Sequence, residues 1–576
     1  MKKPIGILFF SLTMVLILLI VGIFSLLFFV NPNQFKAPLS EEISQLTGRK
    51  VTIQGDLHWA FFPSLGFHVQ QVIMSDAPSF GKTPFAVIGE GNIQIKLLPL
   101  FKKHVEVSMA SLKDVVLNLE RLPGGQTNWN DLVAHLNKDN TASPSTSQSS
   151  QPSPAKKHFS FHVPEINIQN VSIHWDDEML KRNTLFTINT FHVKDFNLKG
   201  NAFPVLLQMD IKNKAPGLQA HVEMKGTFLL DPEKDTYAIQ PLQGMGTLQH
   251  LLPWNQGPIS FHINSKVALH FNEKEGSLNS LSLILDNSTL TGDLQWHFSP
   301  EKSFLLPVTL KGQVHVNTLP IDHLKMHNVS ALLEKTPQQW TLGPIKGEFY
   351  GGDYQGTVSL NTSQGTPSIQ ATQSLDHVNL KSLLTDLNLP RFIDGTTQFS
   401  SSLHTEGKDF QSLMQHLNGS ASYALTQGSV EGIDLQKALQ AASSLLTQAQ
   451  IPSGSVKGST SFTSLTGHFN INEGIAKNPD LLLTSPLFSA GGTGMLNLNQ
   501  QTLHYQINVR TSGASIPPIK KLESMLGGGI PIEVKGSFSN PQVSPDWSTI
   551  RNAVAKQMLQ EGIHNTIKNV RSLFGH

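Results

Sequence analysis

The chain has 576 residues, no cysteine, a formal charge of +1 and only 15% charged residues, against about 25% in ordinary globular proteins. The balance of 43 basic against 42 acidic residues excludes a nucleic-acid partner, and the lack of cysteine excludes disulfides, thiolate metal sites and a cysteine nucleophile. An apolar share of 39% is too high for a disordered chain, and the length calls for several domains or an elongated repetitive body.

Residues 1–34 read as a transmembrane signal anchor. Ile5 to Val30 is an almost unbroken apolar run that would measure about 39 Å as a helix, enough to cross a hydrocarbon core of ~30 Å with some tilt. Lys2 and Lys3 precede the run and no charge follows until Lys36, which places the N-terminus in the cytoplasm and the bulk of the chain on the other side of the membrane. A cleavable signal peptide is the competing reading, but the exit Phe28-Phe29-Val30 puts bulky residues where a peptidase needs small ones.

Residues 35–136 form a first region. It begins with a short helix, Ser40 to Leu46, with Glu41 and Glu42 in its first turn and Gly48 at its end. A strand follows in which Val51, Ile53, Leu57 and Trp59 alternate with polar residues. Residues 137–158, rich in Ser, Pro and Gln, are expected to be a disordered linker. Residues 159–545 form a long β body of about thirty strands together with the first region. Phe261, Ile263, Val267, Leu269 and Phe271 define one apolar face, and Leu503, Tyr505, Ile507 and Val509 another, each backed by Asn, Gln, His or Lys. A glycine-led element recurs at irregular spacing, as in Gly494-Met495-Leu496-Asn497-Leu498. Asp409 and Asp434 each cap a helix, the second presenting Leu435, Leu439, Ala442, Leu446 and Ala449 on one face. Residues 546–576 form a C-terminal amphipathic helix with Trp547, Ile550, Val554, Met558, Ile563, Ile567 and Val570 roughly on a stripe and a basic excess on the rest.

Catalytic patterns are missing. No P-loop, His-Glu-x-x-His or Gly-x-Ser-x-Gly occurs. Ser79-Phe80-Gly81-Lys82 lies in a turn-rich stretch without companion motifs, and Gly527-Gly528-Gly529 reads as a helix exit and not a phosphate cradle. The 23 histidines are scattered singly over polar strand faces, and Asp176-Asp177-Glu178 reads as an acidic turn without the further oxygen ligands a cation needs. No enzyme, metal or cofactor is expected.

Leu46 to Val69, LTGRKVTIQGDLHWAFFPSLGFHV, resembles the start of the AsmA family. So do Asp76-Ala77-Pro78-Ser79-Phe80-Gly81, Pro84-Phe85-Ala86, Leu97-Leu98-Pro99-Leu100-Phe101, Leu117 to Arg121, and Gly125-Gln126-Thr127-Asn128-Trp129. At the far end Gly428 to Leu435, Leu483-Thr484-Ser485-Pro486, Gly491 to Gly494 and Ser537 to Asp546 resemble the family's C-terminal signature. The resemblance implies a mainly β fold: a single N-terminal transmembrane helix, then a chorein-like unit and an elongated, curled antiparallel β-sheet groove with a few short helices. It further implies a single-pass protein of the Gram-negative inner membrane, its bulk periplasmic, that carries phospholipid towards the outer membrane. The groove would hold acyl chains against Val51, Ile53, Leu57, Trp59, Phe261, Ile263, Val267, Leu269, Phe271, Leu496, Leu498, Leu503, Tyr505, Ile507 and Val509. The alternative is a non-catalytic assembly or quality-control factor for outer-membrane proteins, with envelope proteins as partners.

Overall fold

A computed structural model describes residues 14, 31–60, 65–81, 83–96, 107–132, 162–214, 217–250, 257–299, 303–321, 323–388, 391, 393–432, 434–448, 458–512 and 517–574. Among them no helix is long and apolar enough to cross a membrane; the predicted anchor lies outside them apart from Met14, and the linker 137–158 lies wholly outside. The described residues form 26 strands and a few helices, arranged as two compact units, 1–273 with 281–286 and 274–280 with 287–576.

The first unit opens with a 3-10 turn, Pro32–Phe35, and helix α1, Lys36–Thr47, which ends on Gly48 at φ 69°. The helix starts earlier than the sequence suggested, because Pro38 sits in the first turn, where its missing N–H costs nothing. The predicted strand carrying Val51 to Trp59 is instead two short strands, β1 (Val51–Ile53) and β2 (His58–Ala60), both paired with β3 (Leu65–Met74). The break falls at Gly55, where a Cβ would lie 2.5 Å from the Gln70 carbonyl oxygen, so only glycine lets the two backbones approach. From β3 the ladder continues antiparallel through β4 (Ala86–Ile95) to β5 (Val107–Arg121).

One junction departs from the antiparallel expectation. β5 pairs in parallel with β6 (His162–Asp177), in register from Ala110 opposite Ile166 to Arg121 opposite Asp177. Parallel neighbours need a crossover of a dozen or more residues, and the stretch 122–161 supplies it. At the end of this register Arg121 forms a two-point ion pair with the buried Asp177 and lies 5.9 Å over Trp175, which stacks on Trp129 at 5.2 Å. Asp177 therefore belongs to the strand and to an ion pair, not to an open acidic turn, and the Arg121 guanidinium holds its carboxyl below the usual carboxylate range. Strands β7 (Arg182–Asn197), β8 (Phe203–Asn213), β9 (Gln219–Asp231), β10 (Thr236–Gln249) and β11 (Pro258–His270) follow as an antiparallel meander.

The residues of the N-terminal motifs converge on one buried node. Arg49 donates through Nε (2.9 Å) and an Nη (2.6 Å) to Asp131 and also to the Asn128 carbonyl, stands 3.6 Å from Asp76, and covers the Phe85 ring at 4.5 Å. The fully buried Asn128 side chain donates to Asp76 (3.0 Å) and to the Asn118 carbonyl (2.9 Å), and accepts from the Glu120 N–H (2.9 Å).

β12 (Glu275–Leu285) is divided between the two units. The second unit then holds an unbroken antiparallel meander. It runs through β13 (Ser288–Ser299), β14 (Ser303–Ile321), β15 (Leu324–Lys335), β16 (Gln339–Phe349), β17 (Gly352–Asn361) and β18 (Ser368–Asn379). After helix α2 (Leu380–Asp386) come β19 (Ile393–Glu406), α3 (Phe410–Gln415) and β20 (Asn418–Glu431). Asp409 caps α3 as expected, and the helix ends at Gln415. Helix α4 (Leu435–Gln448) precedes β21 (Ser459–Asn472), β22 (Ile475–Thr484), β23 (Phe488–Asn497) and β24 (Thr502–Thr511). Helix α5 (Pro517–Met525), β25 (Ile530–Ser537), β26 (Asn540–Pro545) and helix α6 (Trp547–Phe574) complete the unit.

Helices α4, α5 and α6 pack on the apolar face of the last strands. Leu435, Ala438, Leu439 and Ala442 of α4, Ile519 and Leu522 of α5, and Ile550 and Val554 of α6 share one core with Val509, Ile530 and Ile532. Among the described residues β26 ends the ladder. The Asp546 N–H bonds the Pro531 carbonyl (3.0 Å), so the even residues of β26 face β25 and residues 541, 543 and 545 face away; two of those three are prolines with no N–H to offer.

Asp546 accepts from the Ser548 and Thr549 N–H groups (3.1 Å each) and from both hydroxyls, which lowers its carboxyl to about 2. Because the folded value lies below the unfolded one, near 3.8, the stabilisation is complete above pH 4 and is lost as pH falls towards 2. Asp546→Ala should cost roughly 0.5–2 kcal/mol and loosen the start of α6, read as faster hydrogen exchange at residues 547–554. Unchanged exchange there would remove the cap from the account.

Candidate functional site

The apolar alternation of the last strands becomes a set of rows once the register is fixed. Leu496 on β23 lies opposite Leu503 on β24; Tyr505 lies between Gly494 and Val534; Ile507 lies between Gly492 and Ile532; Val509 lies between Ala490 and Ile530. Leu425, Leu465, Leu483 and Ala490 extend the last row across β20 to β23. Between these rows lies a cavity of about 310 Å³, at the lower end of the roughly 300–1,000 Å³ typical of ligand pockets. Its walls come from eight successive strands, Ile393 on β19 to Pro541 on β26, with Leu435 of α4 at one side. Eight flat strands would span roughly 34 Å at ~4.8 Å spacing, so strands that border one cavity of this size must curl around it.

The lining is almost wholly aliphatic and aromatic. Its polar members are Glu431, Thr460 and the phenols of Tyr423 and Tyr505, and the Thr460 hydroxyl is engaged by the Leu435 N–H (3.0 Å). The opposite face is wet. On these same strands its histidines pair with single carboxylates, His468 with Asp480 at 2.6 Å and His504 with Glu533 at 3.1 Å. Among the described residues no three His, Asp or Glu side chains gather to hold a metal.

Of the residues singled out in the sequence, the cavity brings together Leu496, Leu503, Tyr505 and Ile507. Val509 is fully buried beneath the helices, and Leu498 is half-buried just beyond the end of β23. In the first unit Val51 and Leu57 are buried, while Ile53 and Trp59 are half-buried, Trp59 against Phe67 at 4.4 Å. On β11, Phe261 is buried and Ile263, Val267 and Leu269 are half-buried. Phe261 and Ile263 lie over Gly246 and Gly244 of β10, where a Cβ would meet them at 2.8 Å and 2.7 Å. Phe271 is not part of β11 and instead meets Tyr237 edge-on at 4.9 Å. Sequence reasoning missed Tyr423, Leu425 and Leu465, although the same period-two pattern runs through their strands, and Leu481 and Leu483, which follow a bulge in β22.

The family model for the AsmA family matches residues 1–265 and 259–481. The chain belongs to the AsmA family. It is similar to Protein AsmA of Escherichia coli (strain K12), with 21% identity over 595 residues, which covers 92% of this chain and 91% of that relative. No solved structure matches it. The family match takes in the N-terminal motifs, which build the Arg49 node, and Gly428 to Leu435, whose Asp434 caps α4; the motifs beyond residue 481 supply part of the cavity wall and the proline-bearing strand β26.

Proposed function

We propose that this protein is a non-catalytic lipid carrier of the Gram-negative envelope, held in the inner membrane by residues 1–34, that shelters phospholipid acyl chains in its apolar groove during delivery towards the outer membrane. The observation that carries this reading is the cavity walled by apolar side chains from eight successive strands. Each CH₂ withdrawn from water is worth about 0.8 kcal/mol, so exposing a 16-carbon chain would cost on the order of 12 kcal/mol. A lining that alternates with a wet outer face lowers that cost while the head group stays hydrated. The two prolines of β26 count against the alternative in which that strand edge receives client proteins.

The test is mass spectrometry of the full chain purified in mild detergent, combined with photo-crosslinkers at Ile507 and at its neighbour Gln506. The expected result is phospholipid crosslinked at Ile507 and none at Gln506, whose side chain is exposed on the other face. Protein adducts at both positions with no bound lipid would favour the assembly-factor reading.

A further inference from the structure

The apolar face around the cavity is interrupted by a polar row. Across β20 to β24 it reads Tyr423, Gly467, Asn478, Gly494, Tyr505, with Tyr423 in register with Gly467, and Gly494 in register with both Asn478 and Tyr505. The glycines make room for the tyrosines. A Cβ at Gly467 would stand 2.6 Å from the Tyr423 Oη and 2.7 Å from the Asn478 Nδ2, and a Cβ at Gly494 would strike the Tyr505 ring at 2.3 Å. Both phenols border the cavity, and among the described residues neither donates a hydrogen bond to a protein group. Burial pushes both phenols up, so each remains a neutral O–H donor at any physiological pH.

Asn478 in the same row is 1% exposed; its Nδ2 is committed to the His468 carbonyl (2.6 Å) and to Asp480 (3.2 Å), and its Oδ1, an acceptor, takes no hydrogen bond from either phenol. Neither phenol oxygen is among the sealed, unpartnered polar atoms, so both reach the cavity, where a tyrosine hydroxyl in an apolar wall can take an acceptor from a ligand. An acyl chain alone offers nothing to such donors. A diacyl glycerolipid offers two ester carbonyls, each an acceptor, at the boundary between its chains and its head group.

Resting on the lipid-carrier reading, we propose that Tyr423 and Tyr505 form an ester-binding site that holds a diacyl lipid at its glycerol level, with the first part of its chains in the cavity. The row then acts as a stopping point in the groove and selects esterified lipid over free hydrocarbon.

The experiment compares the full chain with its Tyr423→Phe/Tyr505→Phe variant, which keeps both rings and loses only the hydroxyls. Two fluorescent probes are titrated, a pyrene-labelled diacyl phosphatidylglycerol and an ester-free pyrene-alkane of matching length. The expected result is a loss of about tenfold or more in affinity for the diacyl probe, with the alkane unchanged. Carbonyl-labelled lipid should show an infrared ester stretch shifted down in the parent and restored in the variant. Equal affinity of both proteins for the diacyl probe, or equal weakening of both probes, would overturn the ester site. Failure of the parent to bind either probe would instead overturn the lipid-carrier reading.

Discussion

Replacing Arg49 by alanine should destabilise the N-terminal strands by roughly 3–5 kcal/mol, the usual cost of leaving a buried charge without its partner. The partner at stake is Asp76, whose side chain is only 2% exposed, as is that of Arg49. Asp131 lies at the surface and can be resolvated, so it contributes less to the loss. The Asn128 side chain would still bond Asp76, but the Asn128 carbonyl and the Phe85 ring would both lose the guanidinium. Hydrogen exchange over β1, β3 and β4 reads this unit separately from the rest of the chain. The variant should exchange at least a hundredfold faster there, and the double variant Arg49→Met/Asp76→Asn should recover part of the difference by removing both charges. A change of less than threefold in Arg49→Ala would show that the node does not hold the unit together.

Placing an arginine in the groove should abolish lipid retention, and placing one a single residue away should not. Leu481 lines the cavity and Leu482, its neighbour on β22, is 49% exposed on the opposite face. Leu481→Arg, or Leu496→Arg on the adjoining strand, sets a charge where an acyl chain would otherwise meet only carbon. Both side chains are half-buried, so the guanidinium can reach water and the fold should survive. Bound phospholipid per chain should fall at least tenfold in either variant and stay at the parental level in Leu482→Arg. Equal retention in all three would place the lipid elsewhere. Equal loss in all three would point to damage of β22 itself.

The period-two pattern made the strands and their faces readable, because one face of each strand avoids water and the other seeks it. Direction is not written in that pattern, so the parallel pairing of β5 with β6 could not be seen. The interruption at Gly55 was equally hidden, since Val51, Ile53, Leu57 and Trp59 keep even spacing through a break in the ladder. Arg49, Asp76, Asn118 and Asn128 were visible as motif residues, yet only the fold shows that they touch, across up to 79 positions of sequence. The groove was half legible for a similar reason. Ile507 and Leu503 stood out on a strand with strict alternation, whereas β22 carries a bulge between Asn478 and Leu481 that shifts the pattern by one residue. The free phenols of Tyr423 and Tyr505 depend on which glycine each faces, and register alone decides that.

The prolines at 541 and 545 bear on how such a chain changes length over generations. A ladder that refuses a further strand at its last member cannot be extended there by duplication without first losing its stop. A hairpin inserted between two interior strands meets no such barrier, because it brings its own two edges and restores the pairing on either side. Relatives longer or shorter than this one should therefore differ by pairs of strands in the interior, with the terminating strand carried along unchanged.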